Sequence, residues 1–346
     1  MSRIAVVGAG AWGTAIAIVL GRGQHHEVRL WAFETEVLDS INSTRTNSVF
    51  LPGQHIPDAV RPTGDFADAL SGAEIVVSAM PSQHCRHLFQ QMVPHLQSDA
   101  LVVSATKGLE QTSLLRMSEV ICQVAAEATT HCRVGAMSGP TFAAEVARGD
   151  PTAITVASQD PELAGIVQRE FSDPAFRVYT NEDVVGVELG GSLKNIIAIA
   201  AGVCHGLSLG HNSTAALITR GLAEITRLAI ACGGRAETLS GLAGLGDLVL
   251  TCTGALSRNR SVGVELGRGR KLPEILAGMH GMVAEGIFTT NAAVQLAKTR
   301  GVEMPITEQM HGVLNEGKSP RDAIQTLMTR TSKREADLPA NASGNL

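Results

Sequence analysis

A chain of 346 residues is too long for one small domain, and at roughly 100 to 200 residues per domain it calls for two. Hydrophobic residues make up 44% against only 3% aromatics, with 36 glycines, so the interior is aliphatic with many close backbone approaches, which suits an α/β enzyme. A net charge of -5 excludes a general nucleic-acid binder, which needs a broad cationic surface to displace counterions from phosphate.

Short aliphatic runs at Ile4 to Val7, Val28 to Trp31, Ile75 to Ala79, Leu101 to Ser104, Val134 to Met137, Ala153 to Ala157 and Phe176 to Tyr179 read as buried strands. Helical patterns at Ala11 to Leu20, Phe66 to Leu70, Gln83 to Val93, Leu114 to Ala126 and Pro161 to Phe171 alternate with them. Such alternation predicts a mostly parallel, doubly wound Rossmann-type domain over 1–182. Past Thr180 the strand signals stop. Thr180 and Asp183 have capping-box spacing for a long helix to about Gly202, and Asn212 can cap a helix from Ser213 to Ala231, in which Arg220 and Glu224 sit one turn apart. Further helices are expected at Leu272 to Met279, Thr289 to Thr299, Ile306 to Asn315 and Pro320 to Met328, giving an all-α substrate domain over 183–335 and a loose polar tail over 336–346.

Six cysteines without C-x-x-C or His partners imply neither a disulfide framework nor a metal. The N-terminus enters a strand directly and no run is apolar enough for a membrane span, so a cytoplasmic protein is expected. The sequence does not set the oligomeric state, and a homodimer stays open.

Gly8-Ala9-Gly10-Ala11-Trp12-Gly13 joins the first strand to the first helix, the context in which G-x-G-x-x-G binds a dinucleotide. Gly8 makes the tight turn, Gly10 admits the pyrophosphate and Gly13 lets helix meet strand, while the helix N-terminus faces the phosphates. Near the adenosine, at Trp31-Ala32-Phe33-Glu34, no acid stands at Ala32. Glu34 either reaches the ribose or is a solvated first-turn charge, so NAD against NADP stays open.

Polar clusters follow other strands: Pro81-Ser82-Gln83-His84, Lys107-Gly108-Leu109-Glu110 and Ser138-Gly139-Pro140-Thr141. Lys107 is either a surface lysine or a site residue just past a strand end, and His84 and His87 read as helix-surface or capping groups. The long apolar helix carries Glu188, Lys194 and Asn195; Lys194 either snorkels outward or faces a cleft with a lowered pKa, a reading that the small Gly190, Gly191 and Ser192 favour. Asp247, after Gly241, Gly244 and Gly246, is a substrate contact or a helix N-cap. Ser257-Arg258-Asn259-Arg260 has the donors for bidentate anion recognition, or forms an exposed charged loop.

Taken together and in order, these motifs, with Phe142, Glu188 to Asn195, Gly244 to Asp247 and Glu285-Gly286, resemble the bacterial-type NAD(P)-dependent glycerol-3-phosphate dehydrogenases over Arg3 to about Lys333. The resemblance implies interconversion of dihydroxyacetone phosphate and sn-glycerol 3-phosphate, supplying phospholipid synthesis. It further implies Lys194 as proton donor or acceptor, with Lys107 touching both cofactor and substrate. Gly139, Thr141, Asp247, Ser257, Arg258 and Asn259 match substrate contacts. Gly8, Gly10, Ala11, Trp12, Gly13, Phe33, Phe50, Lys107, Ala143, Arg258, Val283 and Glu285 match cofactor contacts. The chain departs from the family pattern at Ala32 and Phe33, where Arg or His is usual, and at Phe50, where Tyr is frequent. β-Hydroxyacid and phosphogluconate dehydrogenases look similar in placing a catalytic lysine on the helix after a Rossmann domain, but the Ser257 to Arg260 cluster does not support them. A non-catalytic dinucleotide sensor is the reading from another class, against which Lys107, Lys194 and Asp247 speak.

Overall fold

The computed structural model describes residues 2–23, 25–279, 284–332 and 334–335. Val283 and the tail over 336–346 lie outside them.

The strands are β1 (Ser2–Val7), β2 (His26–Trp31), β3 (Thr46–Asn47), β4 (Leu51–His55), β5 (Val60–Thr63), β6 (Ile75–Ser78), β7 (Ala100–Ser104), β8 (Cys132–Ser138), β9 (Thr152–Ala157) and β10 (Phe176–Asn181). Between them run α1 (Ala11–Arg22), α2 (Thr35–Thr44), α3 (Phe66–Leu70), α4 (Cys85–Met92), α5 (Met117–Glu127), α6 (Ala143–Arg148) and α7 (Pro161–Phe171). Among the described residues, eight strands form one sheet in the order β10-β9-β8-β7-β6-β1-β2-β5. Six of them are parallel, while β9 pairs antiparallel with β8 and carries β10 with it. Aliphatic cores line both faces. One packs Ile16, Leu20 and Val167 against Ile4 and Val77, and the other packs Phe89, Met92 and Ile121 against Val76 and Val102. This doubly wound arrangement leaves the carboxyl ends of β1, β6, β7 and β8 free to carry a site.

After β10 the chain is helical: α8 (Val184–Gly206), α9 (His211–Ala231), α10 (Ala236–Leu239), a widened turn at Leu242–Gly246, α11 (Asp247–Thr253), α12 (Arg258–Gly267), α13 (Leu272–Ala277), α14 (Glu285–Arg300), α15 (Pro305–Asn315) and α16 (Pro320–Met328). Among the described residues α8 alone is, as a single straight helix, long and apolar enough to cross a membrane, and it is the buried axis of this helical half. Nearly all of it is buried, its polar groups included, because α9, α11, α12 and α14 surround it. Helices α8 and α12 touch backbone to backbone: a methyl group on Gly263 would collide with the Ile199 carbonyl oxygen, and one on Gly202 with that of Arg260. Gly263→Ala is therefore expected to cost about 1 to 3 kcal/mol by overpacking, read as a lower midpoint in urea unfolding.

Two expected caps differ. Thr180 stays in β10, held by pairing with Val156, and Asp183 is itself the N-cap of α8: one oxygen accepts from Gly186 N at 2.8 Å and the other from Arg235 N at 2.8 Å. Helix α9 starts at His211 after extended Gly210, which puts Asn212 inside the first turn. Glu224 is buried and accepts from Ile306 N (2.7 Å) and Thr307 N (3.2 Å), so it caps α15 across the bundle. Local periodicity also left out α2, β3, β4, β5, α6, α10, α11 and α12, which are short or polar, and it put the start of α14 late, at Thr289.

Candidate active site

The first strand-helix junction has the geometry its glycines foretold. Gly8 has φ +113°, and a Cβ there would come within 2.7 Å of the Ala79 carbonyl oxygen. At Gly13 a Cβ would collide with the Gly8 carbonyl, whereas the space over Gly10 is open. Gly10 is the N-cap of α1 and makes no side-chain cap, so the first N–H groups, of Ala11, Trp12 and Gly13, are available to an anion. The turn is braced by Asn47, a residue the sequence reading missed. Its side chain donates to the Ala9 carbonyl (2.8 Å) and to Thr14 Oγ1 (2.9 Å), and accepts from Phe50 N (3.0 Å). This places half-buried Phe50, and the β3–β4 hairpin with it, beside the turn. Trp12 and Ala143 pack on the same core, and the Trp12 indole N–H is buried without a partner among the described residues. Phe33, past the end of β2, stands 76% exposed with its ring beside Trp31.

The second cluster sits where the sheet meets α8. Lys194 is only 5% exposed and Asp247 only 1%. Lys194 Nζ donates to Asp247 Oδ1 at 2.5 Å and to Thr251 Oγ1 at 2.7 Å. Lys107, from the loop after β7, donates to Asp247 Oδ2 at 2.7 Å and to the Gly139 carbonyl at 3.3 Å. One carboxylate thus grips two amines from the two halves of the chain. Burial lowers the Lys194 pKa to about 8; Asp247 works against that fall, and Lys107 adds to it. Neither the snorkelling reading of Lys194 nor the N-cap reading of Asp247 survives. Asp247 opens α11, but its carboxylate points at the lysines. Thr251, one turn on, was missed, although its i+4 spacing from Asp247 was visible.

The loop after β8 closes one side, with Thr141 Oγ1 donating to the Gly139 carbonyl at 3.1 Å. The alternative of an exposed loop at 257–260 is replaced by a helix start. Ser257 is the N-cap of α12, its hydroxyl accepting from Arg260 N at 3.2 Å, so the N–H groups of Arg258 and Asn259 head the helix. The Asn259 side chain is engaged on both ends: Oδ1 accepts from Gly286 N (2.9 Å) and Nδ2 donates to Asn195 Oδ1 (3.0 Å), beside Lys194. The Arg258 side chain reaches solvent and makes no hydrogen bond among the described residues; nearby protein depresses its pKa by desolvation, while Glu285 opposes this. Glu285 crosses to the loop after β6, accepting from Ser82 Oγ (2.7 Å), Ser82 N (3.3 Å) and Gln83 Nε2 (3.0 Å), and its burial raises its pKa. His84 and His87 are exposed on α4 and its approach, as expected.

Glu188 has a structural partner. It accepts from Arg116 Nη1 (2.6 Å) and from Ser118 N (2.8 Å) and Oγ (2.5 Å), fastening α8 to the start of α5, while desolvation raises its pKa. The structure therefore gathers Lys107, Gly139, Thr141, Lys194 and Asp247 in one cleft. Asn195, Asn259, Gly286 and Glu285 form a chain of contacts linking the α12 N-terminus to it. The glycine turn with Trp12, Phe50 and Ala143 forms the other cluster, and Phe33 stands at the end of β2.

Two family models match the chain. One describes the N-terminus of NAD-dependent glycerol-3-phosphate dehydrogenase, over residues 3–164, and the other its C-terminus, over residues 183–325. A glycerol-3-phosphate dehydrogenase [NAD(P)+] of Koribacter versatilis is 68% identical over 335 residues, covering 97% of this chain and 99% of that protein. The enzyme of the same name from Acidobacterium capsulatum is 57% identical over 338 residues, covering 97% and 100%. The crystal structure of glycerol-3-phosphate dehydrogenase from Coxiella burnetii superposes with a TM-score of 0.90 at 40% identity, covering 95% of this chain and 99% of that one. With both halves matched in order and identity far above what a shared fold alone requires, the chain belongs to the NAD-dependent glycerol-3-phosphate dehydrogenase family.

Proposed function

We infer that this chain interconverts dihydroxyacetone phosphate and sn-glycerol 3-phosphate, using NADH or NADPH in the reducing direction and thereby supplying glycerol phosphate for phospholipid synthesis. The observation that carries this reading is the buried Lys194–Asp247–Lys107 trio opening beside the N-terminus of α12. The residues of the glycine turn fit a dinucleotide: open space over Gly10 and N–H groups at the head of α1, without partners among the described residues, suit a pyrophosphate. When bound, the nicotinamide supplies or takes up the hydride at C2 of the substrate.

The chain's own residues do the rest. Protonated Lys194 hands a proton to the C2 oxygen as the ketone becomes an alcohol, and its neutral form takes that proton back in oxidation. A pKa near 8 keeps both forms accessible close to neutral pH. Lys107 holds a second positive charge against the developing alkoxide, and Asp247 keeps both amines in place. Arg258 and the first N–H groups of α12 take the phosphate, the guanidinium by charge and the helix by its positive end. Thr141 and the Gly139 backbone stand beside Lys107. Six free thiols accord with a reducing cytoplasm, where we place the reaction.

The test is the initial rate of NADH or NADPH oxidation with dihydroxyacetone phosphate, run beside ketopantoate and, in the oxidising direction, hydroxyisobutyrate and phosphogluconate. Turnover confined to the triose phosphate is expected. Arg258→Ala should raise KM for it by about 10- to 100-fold, the loss of one charge-assisted contact. Turnover confined to another substrate would overturn the reading.

A further inference from the structure

The loop that ends β2 bears on which dinucleotide is chosen. Ala32 is buried and donates to the Thr63 carbonyl at 2.9 Å, which fixes the loop against β5. Directly after it Phe33, Glu34, Thr35 and Glu36 are all exposed. Glu34 occupies the N-cap of α2 without capping it, and its carboxylate has no hydrogen-bond or ion-pair partner among the described residues. From Leu30 to Thr44 the sequence has no Lys or Arg but has Glu34, Glu36 and Asp39. The neighbouring strand adds Asp65, just beyond β5.

The cations that could answer these charges are engaged elsewhere. Arg29 is held by Glu27 and Asp68. The Arg45 guanidinium bonds the carbonyls of Ile56, Pro57 and Val60 at the opposite end of α2, about 15 Å along the helix. Arg61 pairs in register with Arg29, below the end of the strand, and its charge acts on Glu27.

In a doubly wound sheet the adenosine ribose meets the end of the second strand. A carboxylate there accepts from the 2'-hydroxyl, and a guanidinium there takes a 2'-phosphate. We propose that this chain selects NADH over NADPH, with Glu34 accepting the ribose hydroxyl and repelling a 2'-phosphate while the bare face of Phe33 stacks on the adenine. The proposal rests on the glycine turn as the dinucleotide site, but not on the identity of the substrate. A 2'-phosphate would set a dianion against Glu34 and Glu36 with no cation at hand among the described residues. The Phe33 ring, open on the side away from Trp31, is a flat apolar platform of the kind an adenine covers.

The experiment is calorimetric titration of the whole protein with ADP-ribose and with its 2'-phosphorylated form, alongside NADH and NADPH. ADP-ribose and NADH should each bind at least about tenfold more tightly than their 2'-phosphorylated counterparts. Glu34→Gln should shrink that ratio, and the pair Phe33→Arg with Glu34→Gln should shift it toward the phosphorylated forms, as should the ratio of kcat/KM for the two reduced cofactors. Equal or tighter binding of the 2'-phosphorylated ligands by the unaltered protein would overturn the proposal, as would a ratio untouched by Glu34→Gln. Failure to reduce dihydroxyacetone phosphate, with the binding ratio intact, would remove the substrate reading and leave this one standing.

Discussion

Lys194→Ala is expected to lower kcat in both directions by about 10²- to 10⁴-fold, the usual loss when a positioned acid-base group is removed, while dinucleotide affinity stays near that of the unaltered protein. The glycine turn lies at the end of β1 and does not include this helix, so a titration with NADH separates lost chemistry from lost binding. The pH profile gives the second check. Oxidation of the alcohol needs the neutral amine and should rise through about pH 8; reduction needs the ammonium and should fall above it. The same shift bears on stability. Burial takes the amine from 10.5 in the open chain to about 8 when folded, so between those values the unfolded chain binds the extra proton, and this group's contribution to stability rises with pH across that window. A variant retaining near-normal turnover, or a flat profile across pH 8, would contradict the assignment.

Asp247→Ala should be the most damaging single change to stability in the cleft. It strips the shared partner from two ammonium groups, one of them Lys194, almost wholly enclosed. Removing one member of a buried charge set costs about 3 to 5 kcal/mol, because what remains is uncompensated charge. Urea unfolding measures this directly. A purely structural role would stop there, but Asp247 also holds the Lys194 pKa up, so in whatever fraction stays folded the oxidation profile should move to lower pH. Asp247→Asn, which keeps shape and a hydrogen-bond acceptor, separates the two effects: the profile should move while much of the stability returns. Unfolding at an unchanged midpoint in Asp247→Ala would mean that the trio does not hold the cleft.

Much of this was legible because single residues contradicted their surroundings. A lysine amid Gly190, Gly191 and Ser192 on a largely apolar helix has no cheap place to go, and the structure gives it a carboxylate. The glycines at 8, 10 and 13 were legible because the strand and helix around them are strongly periodic. Illegible were the partners. Nothing in the sequence near Glu188 points to Arg116, 72 positions away, nor near Glu224 to Ile306. Nothing near Asn47 announces that it braces the glycine turn, since the hairpin around it is short and polar. Cap chemistry misled for a related reason: Thr180 and Asn212 have the right side chains, but sheet pairing kept one in a strand and the geometry of Gly210 moved the other into the helix. The role of the Ser257 segment was ambiguous too, since a helix start and a charged loop share the same four residues.

The carboxylate shared by Lys107 and Lys194 has a mechanical consequence. Lys107 hangs from the loop after β7 and Lys194 from the axis of the helical half, so any hinge motion parting the two halves must pull opposite charges away from each other in a dry interior. Asp247 thus acts as a clasp that is already shut before the triose arrives. The substrate meets a crevice whose charges are already paired across both halves of the chain.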